Sequence, residues 1–175
     1  MFRNQWLAFL LAFVVPLVGV FAWWGGFNTA HVVETEAGPY RYAYLDYEGP
    51  IGDMRKTQKA VLEAFAKAGV AEGDTFTVLL TDPRQGGGRV RAHVGYTLAP
   101  QAPLPAGLKE GTIGRRPVLA VQVHAAILLA PSKAYQAAHD FLAAHGRALR
   151  MPTVEIYRPA DTVGEVGWFT LEIER

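Results

Sequence analysis

The sequence predicts an α+β fold: duplicated strand-helix-strand-strand units form antiparallel sheets with two helices, preceded by one transmembrane helix. The signals for strand, helix, strand and strand occur twice in that order along the 175-residue chain. An offset of 77 residues maps residues 40–97 onto 117–174 without a gap. Agreement at a fixed offset indicates an internal duplication. An uncharged apolar stretch near the N-terminus predicts the transmembrane helix.

The composition excludes several classes of function. The formal net charge is +1, and the longest basic cluster, Arg115-Arg116, is too small for a nucleic-acid footprint. The chain has no cysteine, which excludes disulfides and thiolate metal sites. The five histidines lack the spacing of a metal site. We therefore predict no nucleic-acid partner, no metal and no cofactor.

Residues 6–24 form the apolar stretch, WLAFLLAFVVPLVGVFAWW. At about 1.5 Å per residue, a helix of this length roughly spans the ~30 Å hydrocarbon core of a membrane, and its terminal tryptophans suit the interface. A cleaved signal peptide and a buried core helix are the alternatives. Because Arg3 precedes the stretch, the positive-inside rule predicts a single-pass membrane protein with its domain outside the cytoplasm.

The chain after this stretch divides into a linker and a domain. We assign the anchor to residues 1–25, the linker to 26–38 and the domain to 39–175. Gly49-Pro50 ends the first strand of the domain, and Gly69 is a natural stop for the first helix. The second helix has a predicted serine cap at Ser132. The predicted strands are 40–48, 76–80, 90–98, 118–124, 153–158 and 168–174, and the predicted helices are 51–68 and 132–149.

The strand at 153–158 carries the main candidate site. Side chains alternate along a strand, so Glu155 and Tyr157 share one face. At the 77-residue offset their counterparts are Val78 and Leu80, which are both apolar. This asymmetry favours a ligand site in a cleft between the two halves, although an exposed strand edge would also explain it.

Four other side chains are predicted as contacts of a ligand, and one of them is Tyr96, in the strand at 90–98. Tyr47 and His124 correspond at the 77-residue offset, and each ends a strand before a helix. They could flank a cleft, but an exposed strand-end histidine fits the pattern as well. Trp168 could stack on an aromatic ligand or a cation, or simply pack. Glu172, in the last strand, is expected to be exposed.

The ordered set of motifs resembles the GyrI-like small-molecule-binding domain. The motifs are Gly49-Pro50 after the first strand, an amphipathic helix from Ile51, and Glu155-Ile156-Tyr157 followed by Asp161. The likeness covers about residues 36–175. It implies a cleft that receives aromatic or cationic organic ligands, with Glu155 facing the ligand. The chain departs from the transcription regulators of the family, because it has no helix-turn-helix segment and has a membrane segment instead.

The resemblance leaves three functions open. We favour a membrane-anchored, non-enzymatic module that binds a hydrophobic or cationic small molecule. Some members are hydrolases of reactive small molecules, which implies Glu155 with Tyr47, Tyr96 or Tyr157 as the reactive pair if this chain is an enzyme. The third hypothesis is a membrane-tethered adaptor for a protein partner, which would expose a large apolar patch without an enclosed cavity.

Overall fold

Three α-helices and eight strands make up the described part of the chain. The structure, a computed structural model, describes residues 5–85, 87–162 and 164–175. In chain order the elements are α1 (Gln5–Trp23), β1 (His31–Ala37), β2 (Tyr40–Pro50), α2 (Met54–Ala68), β3 (Thr75–Leu79), β4 (Arg89–Thr97), β5 (Lys109–Ile113), β6 (Arg116–His124), α3 (Ala130–Ala144), β7 (Thr153–Arg158) and β8 (Trp168–Glu174). The doubled strand-helix-strand-strand order and the α+β class are confirmed.

All eight strands form one antiparallel sheet in the order β1-β6-β8-β7-β3-β4-β2-β5. Exchanging the two halves of the chain leaves this order unchanged, so the sheet has a pseudo-twofold axis between β3 and β7. Each half also begins with an additional strand that pairs with the other half: β1 pairs with β6, and β5 with β2. The two halves are therefore interlocked through exchanged edge strands.

The sequence predicts neither of these edge strands. β1 lies within the segment 26–38, for which a linker is predicted, and β5 lies between the predicted strands 90–98 and 118–124, where no strand is predicted. Both strands are largely exposed, so they lack the apolar alternation by which a strand is recognised. Pairing with a neighbour, rather than their own pattern, makes them strands.

The helices α2 and α3 lie on one face of the sheet, each above the strands of its own half. In α2, Val61 and Phe65 are fully buried against Ala43 and Leu98. In α3, buried alanines and Leu142 pack on β6 and β8. Removing this apolar surface from water, at about 25 cal/mol per Å², holds the helices to the sheet.

The ends of the helices agree only in part with the sequence prediction. Gly69 ends α2 in the left-handed conformation, with φ of 64°, as predicted. The serine cap of α3 is wrong: the N-cap is Leu129, and the Ser132 hydroxyl donates to the Leu129 carbonyl at 2.9 Å. The fixed φ of Pro131 suits the first turn, so the helix begins before the serine. It also ends at Ala144 rather than 149.

The opposite face of the sheet curls over itself. The Tyr40 hydroxyl donates to Glu172 Oε1 at 2.5 Å, although β2 and β8 are not neighbours in the sheet. Arg116 Nη2 donates to Glu172 Oε2 at 2.9 Å. Glu172 is only 3% exposed, so the expectation of an exposed carboxylate is wrong. The curl of the sheet buries Glu172, and the alternation of residues along a strand does not reveal this curl.

The helix α1 exposes apolar side chains around its circumference. Phe9, Phe13 and Leu17 are 72%, 69% and 66% exposed. Over residues 5–85, 87–162 and 164–175, no helix is long and apolar enough to cross a membrane. The predicted transmembrane helix is therefore unsupported by the structure.

Candidate functional site

A cavity of about 630 Å³ lies between α2 and α3, above the centre of the sheet. Its size is typical of small-molecule sites. The central strands β3 and β7 lie between the two helices, and their side chains on this face line the cavity: Thr75, Thr77, Glu155 and Tyr157. The walls include Met54 and Gln58 from α2 and Pro131, Ser132, Tyr135 and His139 from α3. The two halves thus share one cavity, as the predicted cleft requires.

Glu155 is a partly buried carboxylate in the lining of this cavity. Tyr135 donates a hydrogen bond to Glu155 Oε1 at 2.8 Å. Burial raises the pKa of Glu155 to about 7, although the Tyr135 hydrogen bond opposes this shift. No ion pair between described residues includes Glu155. Among the described residues, the carboxylate therefore has a phenol as its hydrogen-bond partner and no basic side chain within ion-pair distance, and Arg55 and Arg84 lie elsewhere in the cavity lining.

Tyr135 fixes the position of that carboxylate. Its hydroxyl lies 2.9 Å from Thr153 Oγ1, in addition to its bond to Glu155. Burial and the neighbouring Glu155 charge raise the pKa of Tyr135, so the phenol stays protonated and remains a donor. The sequence predicts Tyr135 only as part of an apolar helix face. One signal could have found it: at the 77-residue offset it corresponds to Gln58, a second polar residue in the cavity lining.

The strand pairing corrects the repeat alignment at the site. Across the central pair, Glu155 stands opposite Thr77, and Val78 stands opposite Val154. Val78 packs on the other face of the sheet with Phe76. A twofold axis keeps side chains on the same face, so the counterpart of Glu155 is Thr77 rather than Val78. The uniform 77-residue offset is therefore wrong by one residue here, but the asymmetry between the halves remains.

The cavity brings together two of the six predicted site residues, Glu155 and Tyr157. The Tyr157 hydroxyl accepts a hydrogen bond from the Gly167 amide at 3.3 Å. Tyr96 packs edge-on against Phe65 beneath α2, with ring centroids 5.8 Å apart. Tyr47 donates to the Pro50 carbonyl. Tyr47 and Tyr96 therefore lie outside the cavity lining and make structural contacts.

His124 and Trp168 also lie outside the cavity lining, and they stack on each other. Their ring centroids are 4.8 Å apart. His124 Nε2 lies 2.9 Å from the Val166 carbonyl oxygen, and Trp168 is 46% exposed. Trp168 lines a separate groove of about 570 Å³ that also includes Glu172. The predicted role of Tyr47 and His124 as symmetric flanks of the cavity is not seen among its lining residues.

The described residues contain no group of three or more histidine, cysteine, aspartate or glutamate side chains that could hold a metal ion. The cavity lining contains the Glu155 carboxyl group, whose pKa of about 7 lies near neutral pH, together with two phenols and two threonine hydroxyls. It also contains Arg55, Asp82, Arg84 and His139. The carboxyl group and the phenol bonded to it suit recognition of a cation or proton transfer.

Comparison with known proteins identifies the fold. No protein-family profile and no curated protein matches the chain. The EcmrR C-terminal domain matches with a TM-score of 0.65 and 10% identity, over 83% of this chain and 96% of that one. The chain has the GyrI-like fold. At 10% identity the likeness of this chain to that domain concerns the fold alone.

Two further structures share the GyrI-like fold with this chain. EcmrR in its DNA complex matches with a TM-score of 0.64 and 10% identity, over 98% of this chain and 68% of that one. SAV2435 bound to tetraphenylphosphonium matches with a TM-score of 0.54 and 10% identity, over 82% of this chain and 93% of that one. The resemblance seen in the sequence is therefore supported at the level of the fold.

Proposed function

We propose that this chain binds a hydrophobic organic cation in the cavity between its two halves. The observation that carries the proposal is Glu155, a carboxylate that burial brings to a pKa of about 7 and that forms no ion pair with any described residue. Around it, Met54, Ile127 and Phe169 supply apolar and aromatic surface. A ligand with a delocalised positive charge and aromatic rings matches both features.

The free energy of ionising Glu155 favours a cationic ligand over a neutral one. Moving the pKa of Glu155 from 4.5 to about 7 corresponds to a cost on the order of 3 kcal/mol for the ionised, unpaired form. A cation would return part of that energy, because an opposite charge stabilises the carboxylate. A neutral ligand of the same shape would not. SAV2435, a protein of similar fold, is bound to tetraphenylphosphonium, which makes this cation a reasonable probe.

The test compares a cation with a neutral molecule of similar shape. Isothermal titration calorimetry at pH 8 would measure tetraphenylphosphonium and triphenylphosphine oxide on the wild type and on Glu155→Gln. We expect Glu155→Gln to lower the affinity for the cation by at least about tenfold, because losing one member of a buried charge pair is costly. The affinity for the oxide should fall by less than about twofold. The control is Glu174→Gln, at an exposed carboxylate of β8. Equal weakening of both ligands by Glu155→Gln would contradict the proposal.

A second candidate function is hydrolysis of a reactive electrophile. The contact between Tyr135 and Glu155 favours it, because a general base with a pKa near 7 is well matched to neutral pH. In this alternative Glu155 takes a proton from the attacking water, while Tyr135 or Tyr157 donates a hydrogen bond to the leaving oxygen. Turnover of epoxides or activated esters that is lost in Glu155→Gln would support it. Binding without turnover would leave the first proposal.

We also infer that α1 tethers this cavity to a membrane. The support is the exposure of apolar side chains along the helix, such as Phe9, which is 72% exposed, and Trp23, which is 69% exposed. An apolar surface of this extent marks a site of contact with a membrane or a partner. The tether, with residues 1–25 as anchor and the domain outside the cytoplasm, is a proposal based on the sequence. Retention of the chain in carbonate-washed membranes would support it. Release into the supernatant would contradict it.

A further inference from the structure

The end of α1 is fastened to one wall of the cavity through residues 24–28, which we call the joint. The Ala126 amide donates to the Trp24 carbonyl at 2.9 Å, and Asn28 Nδ2 donates to the His124 carbonyl at 2.6 Å. Lys133 Nζ donates to the carbonyls of Gly26 and Asn28 at 2.5 Å and 2.7 Å. These four hydrogen bonds join the joint to the β6–α3 loop and to the first turn of α3.

The same loop and the same helical turn line the cavity. Ala126 directly precedes Ile127, which contributes to the cavity lining. Lys133 lies between Ser132 and Tyr135, which also line it, and Tyr135 holds Glu155. One backbone segment therefore faces the joint on one side and the candidate ligand on the other.

The sequence of the joint suits this close approach. Gly25 has φ of 74°, and a Cβ atom there would lie 2.5 Å from the His124 carbonyl oxygen. A Cβ at Gly26 would lie 2.3 Å from the Phe21 ring. A larger residue at Gly25 would push the joint away from the β6–α3 loop, whereas at Gly26 it would displace the Phe21 ring of α1.

The two halves differ in what the lysine in the first turn of the helix binds. Lys133 and Lys56 occupy equivalent positions in the first turns of α3 and α2, where a positive charge opposes the helix dipole. Lys56 pairs with Asp53 at 2.9 Å. Lys133 instead binds two carbonyls of the joint. Among the described residues, the first turn of α2 therefore uses its lysine for Asp53 rather than for carbonyls of a preceding segment, which provides a matched control.

We propose that occupancy of the cavity and docking of the joint are coupled, so that a ligand between α2 and α3 sets how firmly α1 is attached to the domain. This inference rests on the proposed function. A ligand that contacts Ile127 and Tyr135 favours the position of the wall on which the joint docks. Coupling between two sites is reciprocal. If the ligand strengthens docking of the joint by some factor, undocking the joint lowers the affinity for the ligand by the same factor.

The first experiment measures the Kd of tetraphenylphosphonium on the full-length chain carrying Lys133→Met or Lys56→Met. Each variant removes one positive charge from an equivalent helical turn, and neither lysine lines the cavity. Lys133→Met is expected to raise the Kd about fivefold, within the usual range of coupling between sites. Lys56→Met is expected to leave it within about twofold, because no segment docks there.

A second variant and a second measurement protect against misfolding and surface-charge effects. Asn28→Ala removes a single hydrogen bond of the joint and is expected to raise the Kd in the same direction. In the wild type, saturating tetraphenylphosphonium should slow hydrogen exchange of the Ala126 amide, and Lys133→Met should abolish that effect. Equal Kd values in all variants, with no change in exchange, would overturn the coupling alone. Absence of binding in the wild type would overturn the proposed function and this inference together.

Discussion

Glu155 and Glu172 lie on adjacent strands and face opposite sides of the sheet, and the groups around the two carboxylates differ. Glu172 is buried with a cation, Arg116, and with the Tyr40 hydroxyl. Among the described residues, Glu155 has Tyr135 as its hydrogen-bond partner and forms no ion pair, and it borders a cavity. The comparison separates a carboxylate whose charge is balanced within the fold from one whose charge is left for a ligand.

The largest expected effect tests the paired carboxylate. Glu172→Gln should lower the free energy of unfolding by about 3 kcal/mol or more, because it leaves Arg116 buried without its counter-charge. Glu155→Gln should leave stability at pH 8 unchanged or increased, because it removes an unpaired buried charge. Urea denaturation of both variants measures the contrast. A similar loss in both would mean that Glu155 is structural.

The pH dependence of stability sharpens the contrast. Because the folded pKa of Glu155 is raised to about 7, its contribution should be fully present below the unfolded pKa of about 4.3 and should be lost as pH rises through 7. The wild type should therefore lose on the order of 3 kcal/mol relative to Glu155→Gln between pH 4 and pH 9. Urea melts of both proteins across this range measure it. A constant difference would show that Glu155 does not titrate there.

Cation affinity should follow the same ionisation. Below pH 7 the ligand must displace the Glu155 proton, so the affinity for tetraphenylphosphonium should fall about tenfold per pH unit and should level off above pH 7. Calorimetry in buffers of different ionisation enthalpy would detect the released proton. The affinity for triphenylphosphine oxide serves as the control and should not fall. An affinity for the cation that is flat across pH 5–8 would argue against Glu155 as its partner.

The smallest effect concerns the phenol that holds Glu155. Tyr135→Phe removes the hydrogen bond that lowers the pKa of Glu155, so the pKa should rise further. The midpoint of the cation-binding profile should then move upward by about one unit or less, as expected for a hydrogen bond worth roughly 1 kcal/mol. Tyr157→Phe provides a matched control within the same cavity. A downward shift would mean that Tyr135 does not stabilise the ionised carboxylate.

The sequence predicts the units of this fold better than their assembly. The strand at 153–158 is recognisable from its own apolar alternation, and Gly69 indicates the end of α2 by its conformational freedom. Both predictions are confirmed. β1 and β5 take their structure from pairing with the other half, which no local pattern reveals. The burial of Glu172 likewise depends on the curl that brings Tyr40 to β8.

The candidate site was predictable in part for the same reason. Alternation alone puts Glu155 and Tyr157 on one face of a strand, and both line the cavity. The contact between Tyr135 and Glu155 requires the crossing of α3 over β7, which is a tertiary feature. Trp168 and His124 share a face with each other but not with Glu155, because β8 and β6 present them to the other side of the sheet.

The exchange of β1 and β5 has a consequence for how such a molecule arises and how it fails. A single unit with its own first strand could form the same eight-stranded sheet as a homodimer, if that strand paired with the sheet of the partner subunit. Fusion of two copies of its gene would then join two subunits that already exchange a strand. Because of the exchange, a deletion in one half also disrupts the sheet of the other half. Deleting residues 26–38 would strip the outer strand from the second half of the chain and leave the hydrogen-bonding edge of β6 open to other molecules.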